Sequence, residues 1–450
     1  MQRKRIVIIG AGPTGLGAAH RLQELKHEDF ILIDASETAG GLSKSIKKDG
    51  FTWDLGGHVV FSQYPYFKNL VHKLVPEQNQ IRRDASIWMK DTFIPYPLQN
   101  NIAFLPEKEA CECISGLLKL TKKDETKKPK NFEEWLLQNF GPGLYNTFLK
   151  PYNSKVWAYE PSSMNCEWMK DRVATVDVEK VVHSLIKKQP ENSWGPNQFF
   201  EFPKQGGTGA IWDALFQTID PKKVRLNSQV IHIDPIKKTV LTRLNGTFEY
   251  ETFEYDVLIS TMPLNLLSNL LRLEPKHEFL YSSTHVVGFG IEGVVPEHFS
   301  KKSWMYFPED NCPFYRCTVF SNYSEKNVAK PGKQWSLMCE VSESRFHNPD
   351  MKEQDCLEAV EVGCFMTKLI TANDHIVSRF YQKLEYGYPT PFLRREEVLG
   401  NLLPFLEKQD IKSRGRFGLW KYEVSNQDHS LMQGVQVVNQ ILFGEKEVLI

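Results

Sequence analysis

The chain has 450 residues, of which 41% are hydrophobic and 24% charged, so it is long enough for two or three packed units and has a globular composition. Lysine plus arginine and aspartate plus glutamate number 55 each, and this balance argues against a general attraction to nucleic acid or to anionic membranes. The eight cysteines include no CxxC pair, which argues against a zinc site or a disulfide framework.

Membrane segments are also not expected. The sequence has no uninterrupted apolar run of the roughly 18 residues that span a bilayer. The apolar run after residues 1–5 is too short for a signal peptide and leads directly into a glycine loop. We therefore expect a cytoplasmic protein with reduced thiols, no bound metal, no membrane partner and no nucleic-acid partner.

The spacing of apolar residues predicts a mixed α/β chain that opens with a βαβ unit. In chain order, the predicted elements are a buried strand at 6–9, a helix at 13–26, a strand at 30–34, an aromatic-rich helical region at about 100–190, strands within 223–263, antiparallel strands within 285–345 and a helix at 355–373.

The first loop carries the strongest local signal. Gly10, Gly12 and Gly15 form the pattern GxGxxG between the first strand and the first helix, and Asp34 ends the second strand. The first glycine permits the turn, the second lets backbone amides approach a pyrophosphate, and the third allows the helix to pack closely on the strand. The acid is placed to accept hydrogen bonds from ribose hydroxyls. Together they predict a dinucleotide site.

Two further glycine pairs favour FAD over NAD as the dinucleotide. Gly40–Gly41 follows the acid, and Gly56–Gly57 lies a short distance beyond. The segment 202–209 and the strand that ends at Pro263 also resemble flavoproteins of the amine-oxidase and protoporphyrinogen-oxidase type. We therefore expect FAD as the cofactor.

These patterns together predict the fold class and the division of the chain into domains. The fold class is α/β: a Rossmann-type FAD-binding domain with an inserted helical segment and an antiparallel β-sheet substrate segment. The predicted divisions are a discontinuous FAD-binding domain of 1–65, 200–265 and 385–450, a mainly helical substrate and flap segment of 66–199, and an antiparallel sheet plus helix of 266–384.

Motifs distributed over nearly the whole chain carry a more specific resemblance. They are DLGGHVVFS at 54–62, IPYPLQNN at 94–101, NSKVW at 153–157, DRVA at 171–174, WGPN at 194–197, YFPEDNCPFYR at 306–316, GYPT at 387–390, and a closing cluster at 414–429. In these motifs the chain resembles the UDP-galactopyranose mutase family, in its eukaryotic-type branch.

That resemblance implies an activity. The family interconverts UDP-galactopyranose and UDP-galactofuranose without net redox change, with N5 of the reduced flavin attacking the anomeric carbon and UDP as the leaving group. The expected cofactor is FAD, active when reduced, with NADPH as reductant. The partner implied is a UDP-sugar. The same resemblance associates Arg83 with NADPH binding and leaves the oligomeric state open.

The resemblance also implies roles for individual residues. The expected catalytic residues are His58, Arg172, Asn197, Arg316 and Arg416. The expected substrate contacts are Tyr96, Gln99, Asn153, Trp157, Arg172, Asn197, Tyr306, Arg316, Tyr388, Arg416, Tyr422 and Asn426. The expected cofactor contacts are Gly10, Gly12, Thr14, Gly15, Asp34, Gly41, Leu42, Gly56, Gly57, His58, Val230, Asn426, Gln427 and Ser430.

Each assignment has a structural alternative when taken alone. The alternative for Arg316 is a salt bridge at a strand edge, and that for Asn426 is a cap on the final helix. For Tyr306, Tyr388 and Tyr422 the alternative is a half-buried position in the core. Leu98 departs from the family pattern, which has an aromatic residue there beside the uracil. The other functions considered are an FAD-dependent oxidase of amines or porphyrinogens, a mutase of another nucleotide sugar and a non-catalytic flavin sensor.

Overall fold

The computed structural model describes residues 4–120, 128–169, 176–190, 198–273 and 279–450. Its α-helices are α1 (Pro13–Glu24), α2 (Pro65–Leu74), α3 (Glu107–Leu120), α4 (Phe132–Leu144), α5 (Lys150–Trp157), α6 (Val178–Lys187), α7 (Gly209–Gln217), α8 (Leu264–Leu270), α9 (Glu353–Met366), α10 (Arg395–Glu407) and α11 (Gln427–Phe443). Within these ranges, no helix is long and apolar enough to cross a membrane.

The strands form a five-stranded parallel sheet, a seven-stranded mixed sheet, a three-stranded antiparallel sheet and two ribbons of two strands each. They are β1 (Ile6–Ile9), β2 (Phe30–Ile33), β3 (Ser45–Lys48), β4 (Phe51–Asp54), β5 (Gln78–Arg82), β6 (Ala85–Met89), β7 (Thr92–Pro95), β8 (Phe199–Pro203), β9 (Val224–Arg225), β10 (Ser228–Asp234), β11 (Thr239–Leu244), β12 (Tyr250–Glu254), β13 (Val257–Ser260), β14 (Tyr281–Glu292), β15 (Trp304–Tyr306), β16 (Arg316–Val319), β17 (Gln334–Glu343), β18 (Ile376–Pro389) and β19 (Ile411–Ser413).

The parallel sheet has the strand order β19-β13-β1-β2-β9. All four residues of β1 are buried, because the sheet is covered on both faces. Ile6 and Ile8 pack with α1, α7 and α11 on one face. Val7 and Ile9 pack on the other face with residues of the β10-β11-β12 sheet and of α10.

Helices α1 and α11 approach each other unusually closely. A Cβ on Gly17 would lie 2.5 Å from the Leu431 carbonyl oxygen, and a Cβ on Gly434 would lie 2.0 Å from the Thr14 carbonyl oxygen. Glycine is therefore required at both positions for the helices to pack at this distance. The contact joins the helix that follows the glycine loop to the last helix of the chain.

The largest sheet has seven strands in the order β18-β14-β17-β16-β15-β6-β7. Strand β15 pairs with β6 in parallel, and the other pairs are antiparallel. One face of the sheet packs on β4, where Trp53 stacks with Phe380 at 5.6 Å, and Gly288 leaves the space that this indole ring fills. The opposite face packs on α9.

This architecture confirms the predicted α/β fold class with parallel and antiparallel sheets. Strands β6 and β7 belong to the segment 66–199 in sequence, yet they extend the sheet formed by the segment 266–384. The two segments thus share one sheet, while the parallel sheet draws all its strands from 1–65, 200–265 and 385–450. The domain division itself stays a prediction.

Candidate active site

The loop between β1 and α1 is tightly packed. Gly10 has a φ of +100°, and a Cβ there would lie 2.1 Å from Thr261 Oγ1. A Cβ on Gly15 would lie 1.8 Å from the Gly10 carbonyl oxygen. These two glycines let α1 begin immediately after β1, which places the positive end of the helix dipole at the turn.

Gly12 and Gly41 form a second glycine contact beside this turn. A Cβ on Gly41 would lie 3.0 Å from Gly12 Cα, and the Gly40 N–H donates to the Ala11 carbonyl oxygen at 2.8 Å. Gly12 is the N-cap residue of α1 and has an extended backbone. With no side chain at either position, the backbone stays open to a ligand, as pyrophosphate binding at a helix N-terminus requires.

Asp34 connects the glycine loop to the end of β2. Its Oδ2 accepts a hydrogen bond from the Ala11 N–H at 2.6 Å, and its Oδ1 accepts one from the Ser36 N–H at 2.7 Å. Each carboxylate oxygen has a further lone pair for a ligand hydroxyl. The acid therefore organises the loop in addition to the ribose contact that the sequence predicts.

These residues border a cavity of about 940 Å³, near the upper end of the range for ligand pockets. Most of the expected cofactor contacts line it. They are Gly10, Gly12, Thr14, Asp34, Gly41, Leu42, Gly56, Gly57, His58, Val230, Asn426, Gln427 and Ser430. Gly15 does not, because it packs α1 against β1.

The cavity wall has polar atoms that suit a large polar ligand. Among the described residues, Gln427 Nε2, Thr284 Oγ1 and His58 Nδ1 are buried without a hydrogen-bond partner. The other end of the Gln427 amide is fixed, because its Oε1 accepts from Trp212 Nε1 at 3.0 Å. Buried polar groups are normally paired, so these atoms and the glycine cradle fit a dinucleotide such as FAD.

His58 lies in the loop after β4, beside the cavity. The loop turns at Gly56, which has a φ of +134° and whose carbonyl oxygen accepts from the His58 N–H at 2.8 Å. Burial, together with the charges of Arg416 and Arg316, lowers the pKa of His58 to about 4, although Glu340 opposes the change. The imidazole is therefore neutral at physiological pH and can donate one hydrogen bond and accept another.

Arg316 and Glu340 form a buried ion pair across β16 and β17, where they are opposite each other in register. Arg316 Nε and Nη2 donate to the two carboxylate oxygens, each at 2.7 Å. Burial opposes ionisation of Glu340, but the Arg316 charge and hydrogen bonds lower the pKa of the carboxyl below its ordinary value. Arg316 is thus both a strand salt-bridge partner and a cavity-lining residue.

Arg416 is held by the far edge of the same sheet. Its Nε and Nη2 donate to the Gly387 carbonyl oxygen at 3.2 and 2.9 Å, and its Nη1 donates to Ser425 Oγ at 3.1 Å. Gly387 lies in an irregular stretch of β18, where the register with β14 shifts between Ser282 and Thr284. This bulge brings the Gly387 carbonyl oxygen to the arginine.

Tyrosine and tryptophan side chains pack around these arginines. The Arg416 guanidinium lies 4.9 Å from the ring centre of Tyr388 and 5.9 Å from that of Tyr422. Trp157 packs edge-on against both rings, at 5.8 and 5.0 Å, and is buried. Burial raises the pKa of Tyr388, so its hydroxyl keeps its proton at neutral pH.

Tyr306 extends the same row of the sheet, because it is opposite Arg316 in register. Its ring packs on Tyr96 at 5.2 Å, and its hydroxyl accepts from Trp304 Nε1 at 2.7 Å. The Arg83 guanidinium lies 5.1 Å from the Trp304 ring centre and also lines the cavity. Tyr96 and Tyr306, both expected substrate contacts, are thus in contact with each other, and Arg83, the residue expected to bind NADPH, lies beside Trp304.

The remaining expected substrate contacts among the described residues are Asn153, Gln99 and Asn426. Asn153 Nδ2 donates to the Leu149 carbonyl oxygen of its own helix at 2.7 Å. Gln99 and Leu98 are buried in the short 3₁₀ turn after β7, and Leu98 belongs to the core of the helical segment. Asn426 is the N-cap residue of α11 and lines the cavity, so the capping position and the predicted site coincide.

Two of the expected catalytic residues, Arg172 and Asn197, lie outside the described residues. The structure adds others that the sequence reasoning missed, above all Glu340, together with Tyr315, whose hydroxyl donates to Glu340 Oε2 at 2.8 Å. The available signal for Glu340 was a lone carboxylate in the interior of the hydrophobic strand pattern of 334–343.

Comparisons with known proteins agree with this geometry. The family model for flavin-containing amine oxidoreductases matches residues 13–305. A crystal structure of reduced UDP-galactopyranose mutase is 42% identical, with a TM-score of 0.94, over 99% of this chain and 95% of that one.

Relatives found by sequence are more distant. The "probable UDP-galactopyranose mutase" of Klebsiella pneumoniae is 26% identical over 176 residues, which is 38% of this chain and 45% of that protein. Protoporphyrinogen oxidase 2 of Arabidopsis thaliana is 21% identical over 51% of this chain and 50% of the plant enzyme. The chain thus spans about half the length of each of these relatives. On the family-model match and the structural match over almost its full length, the chain belongs to the flavin-containing amine oxidoreductases and, among them, to the UDP-galactopyranose mutase family.

Proposed function

We propose that this protein is a flavin-dependent isomerase that interconverts UDP-galactopyranose and UDP-galactofuranose without net redox change. The observation that carries the proposal is the composition of one cavity. A dinucleotide cradle lines one part of it, and Arg316, Arg416 and Tyr388 line another. An enzyme that only removes hydride from an amine has no need of this group of anion-binding side chains.

FAD is the cofactor that the cradle fits, and in its reduced form it would supply a nucleophilic N5 nitrogen. The described residues that line the cavity include no cysteine and no serine paired with His58, so the proposed task of the chain is to bind, orient and stabilise charge. His58 lies in the loop beside the flavin position and is neutral, which suits a group that adjusts to the protonation of the reduced ring.

The diphosphate of the substrate is the part that the arginines suit best. When UDP leaves the sugar, its diphosphate gains negative charge that planar guanidinium groups and phenol hydroxyls stabilise. Arg316, Tyr388 and Tyr422 are proposed to supply these contacts, each charge-assisted hydrogen bond contributing about 1.5–3 kcal/mol. Arg172, which the resemblance gives as a catalytic and substrate-contacting residue, is proposed to share this role, and Arg416 is proposed to act near the flavin and the sugar.

The nucleoside end is assigned to a second group. Tyr96, Gln99, Asn153 and Trp157 are proposed to border the uridine, Tyr306 to contact the diphosphate beside it, and Asn197 to act near the flavin and sugar. Trp157 packs edge-on against Tyr388 and Tyr422, so its proposed role includes holding these two rings in place for the substrate. The buried Leu98 leaves that position without an aromatic face.

The reductant is proposed to be NADPH, with Arg83 contributing to its binding. Arg83 lines the cavity, and its guanidinium lies over the Trp304 ring. Cytoplasmic location remains part of this proposal.

The direct test is to reduce the bound flavin anaerobically with NADPH or dithionite, add UDP-galactofuranose and separate the nucleotide sugars by chromatography. Conversion to UDP-galactopyranose without stoichiometric use of reductant would support the proposal. UDP binding without conversion would keep the nucleotide-sugar class and redirect the search to other sugars. Failure to bind UDP would favour an oxidase.

A pair of variants tests the role of the arginine wall. Arg316→Ala is expected to abolish most turnover and weaken UDP binding. Arg379→Ala is the matched control, because Arg379 belongs to the same sheet but is exposed and pairs with Glu361 of α9. Equal activity and UDP affinity in both variants would refute the assignment of Arg316.

A further inference from the structure

Glu340 lies in the cavity wall and accepts four hydrogen bonds. Its Oε1 accepts from Arg316 Nε at 2.7 Å and from the Gly57 N–H at 3.0 Å. Its Oε2 accepts from Arg316 Nη2 at 2.7 Å and from the Tyr315 hydroxyl at 2.8 Å. The side chain is only 2% exposed. A buried carboxylate with four donors is fixed in position and compensated in charge.

This arrangement determines which edge of Arg316 is available to a ligand. Glu340 occupies Nε and one hydrogen of Nη2, which leaves Nη1 and the remaining Nη2 hydrogen for an anion. The Gly57 backbone also limits movement of the Arg316 guanidinium, since a Cβ on Gly57 would lie 3.1 Å from Arg316 Cζ. The guanidinium is therefore oriented before any diphosphate binds, which lowers the entropic cost of binding.

Glu340 also connects parts of the site that are far apart in sequence. Through Gly57 it contacts the loop that carries His58, at the flavin end of the cavity. Through Tyr315, whose hydroxyl lies 3.5 Å from that of Tyr388, it reaches β18. Movement of the Gly56–His58 loop would remove one of the two donors to Oε1 and change how the carboxylate holds Arg316.

We propose that Glu340 is a positioning residue that couples the Gly56–His58 loop at the flavin end to the strength with which Arg316 holds a diphosphate. The inference rests on the proposed function in one respect, namely that Arg316 binds the diphosphate of UDP. Because coupling between two sites is reciprocal, a change in flavin state that moves the loop changes UDP affinity, and bound UDP changes the flavin potential.

The chain offers a close control for this proposal. Glu343 belongs to the same strand and is also buried, but it lies on the opposite face of the sheet, towards α9. Its two oxygens pair with His285 Nε2 at 2.6 Å and Lys383 Nζ at 2.8 Å. A Glu→Gln change there removes a buried charge from the same strand without touching Arg316 or Gly57.

The experiment measures UDP binding to the FAD-loaded protein, with the flavin oxidised and then reduced, for the wild type, Glu340→Gln and Glu343→Gln. In Glu340→Gln the amide NH₂ faces N–H and O–H donors, so Arg316 loses its fixed orientation. We expect UDP binding to weaken at least tenfold, and the ratio of the oxidised and reduced dissociation constants to move towards one. Glu343→Gln is expected to leave both quantities within twofold of the wild type.

The ratio separates positioning from general destabilisation, which would weaken both flavin states equally. Unchanged UDP affinity in Glu340→Gln, an unchanged ratio, or the same loss in Glu343→Gln would overturn the inference. If Glu340→Gln does not fold, Tyr315→Phe is the second variant, because it removes one donor to Glu340 and keeps the ion pair with Arg316. It is expected to shift the same ratio of dissociation constants, and an unchanged ratio would overturn the proposal. Absence of UDP binding in the wild type would instead overturn the proposed function.

Discussion

Asp54 is a buried carboxylate behind the active-site loop, and its replacement by asparagine has a calculable effect. Its side chain is fully buried and accepts hydrogen bonds from the Ser45 hydroxyl and from the N–H and hydroxyl of Thr208. These bonds join the β3–β4 hairpin to the start of α7. Burial raises the pKa of Asp54 from 3.8 to about 7, although the hydrogen bonds oppose the change.

The sign and size of the effect follow from this shift. Between pH 3.8 and about 7 the folded protein keeps a proton that the unfolded chain has lost. The stability from this group is therefore fully present below the lower value and is lost as the pH rises to the upper one. At about 1.4 kcal/mol per pH unit, the wild type should lose about 2–3 kcal/mol between pH 5 and pH 7 through Asp54 alone.

The assay is urea unfolding of the FAD-loaded wild type and Asp54→Asn at a fixed FAD concentration, followed by tryptophan fluorescence at several pH values. The asparagine has no proton to lose, so the free-energy difference between the two proteins should change by that amount over this range. Asp91→Asn, on an exposed turn, is the control for removing an aspartate elsewhere, and it should retain the pH dependence that Asp54→Asn loses. A free-energy difference between Asp54→Asn and the wild type that is independent of pH would refute the reasoning.

The other predictions concern packing and thiol reactivity. Gly434→Ala places a Cβ 2.0 Å from the Thr14 carbonyl oxygen, so thermal unfolding should show a loss of about 1–3 kcal/mol in the free energy of unfolding, with weaker FAD retention. Gly400→Ala is the control; it lies in α10 with nothing within 4 Å and should be neutral or stabilising. A thiol reagent should modify exposed Cys111 quickly and the six buried cysteines only after unfolding, since burial raises the pKa of Cys356, for example, to about 12. Rapid modification of several thiols in the folded protein would contradict this expectation.

The parts of the fold with strong local patterns were the most predictable. The first strand, the glycine turn and α1 follow from a fully apolar run, three glycines and helical spacing, and the helix begins at Pro13 as predicted. The predicted helix at 355–373 was too long. It ends at Met366, where the Thr367 hydroxyl bonds back to the Gly363 carbonyl oxygen and Lys368 takes a positive φ.

Long-range features of the site were less accessible. Sequence reasoning identified Arg316 as a catalytic and substrate-contacting residue and, alternatively, as a salt-bridge partner, but it had no means of finding Glu340 as that partner. The pairing depends on the register of β16 and β17, which are joined by a long connection. Similarly, the contact between Arg416 and the Gly387 carbonyl oxygen depends on an irregular strand register, which single-sequence patterns do not specify.

The glycine contact between α1 and α11 has a consequence for how the protein is made. Residues 13–24 leave the ribosome long before residues 427–443, and β19 at the edge of the parallel sheet is also made late. Until then the face of α1 around Gly17 has no partner, and Gln427 and Ser430 are absent from the cavity wall. Stable capture of the cofactor should therefore follow translation of α11, and nascent chains stopped before this helix should be the forms most dependent on chaperones.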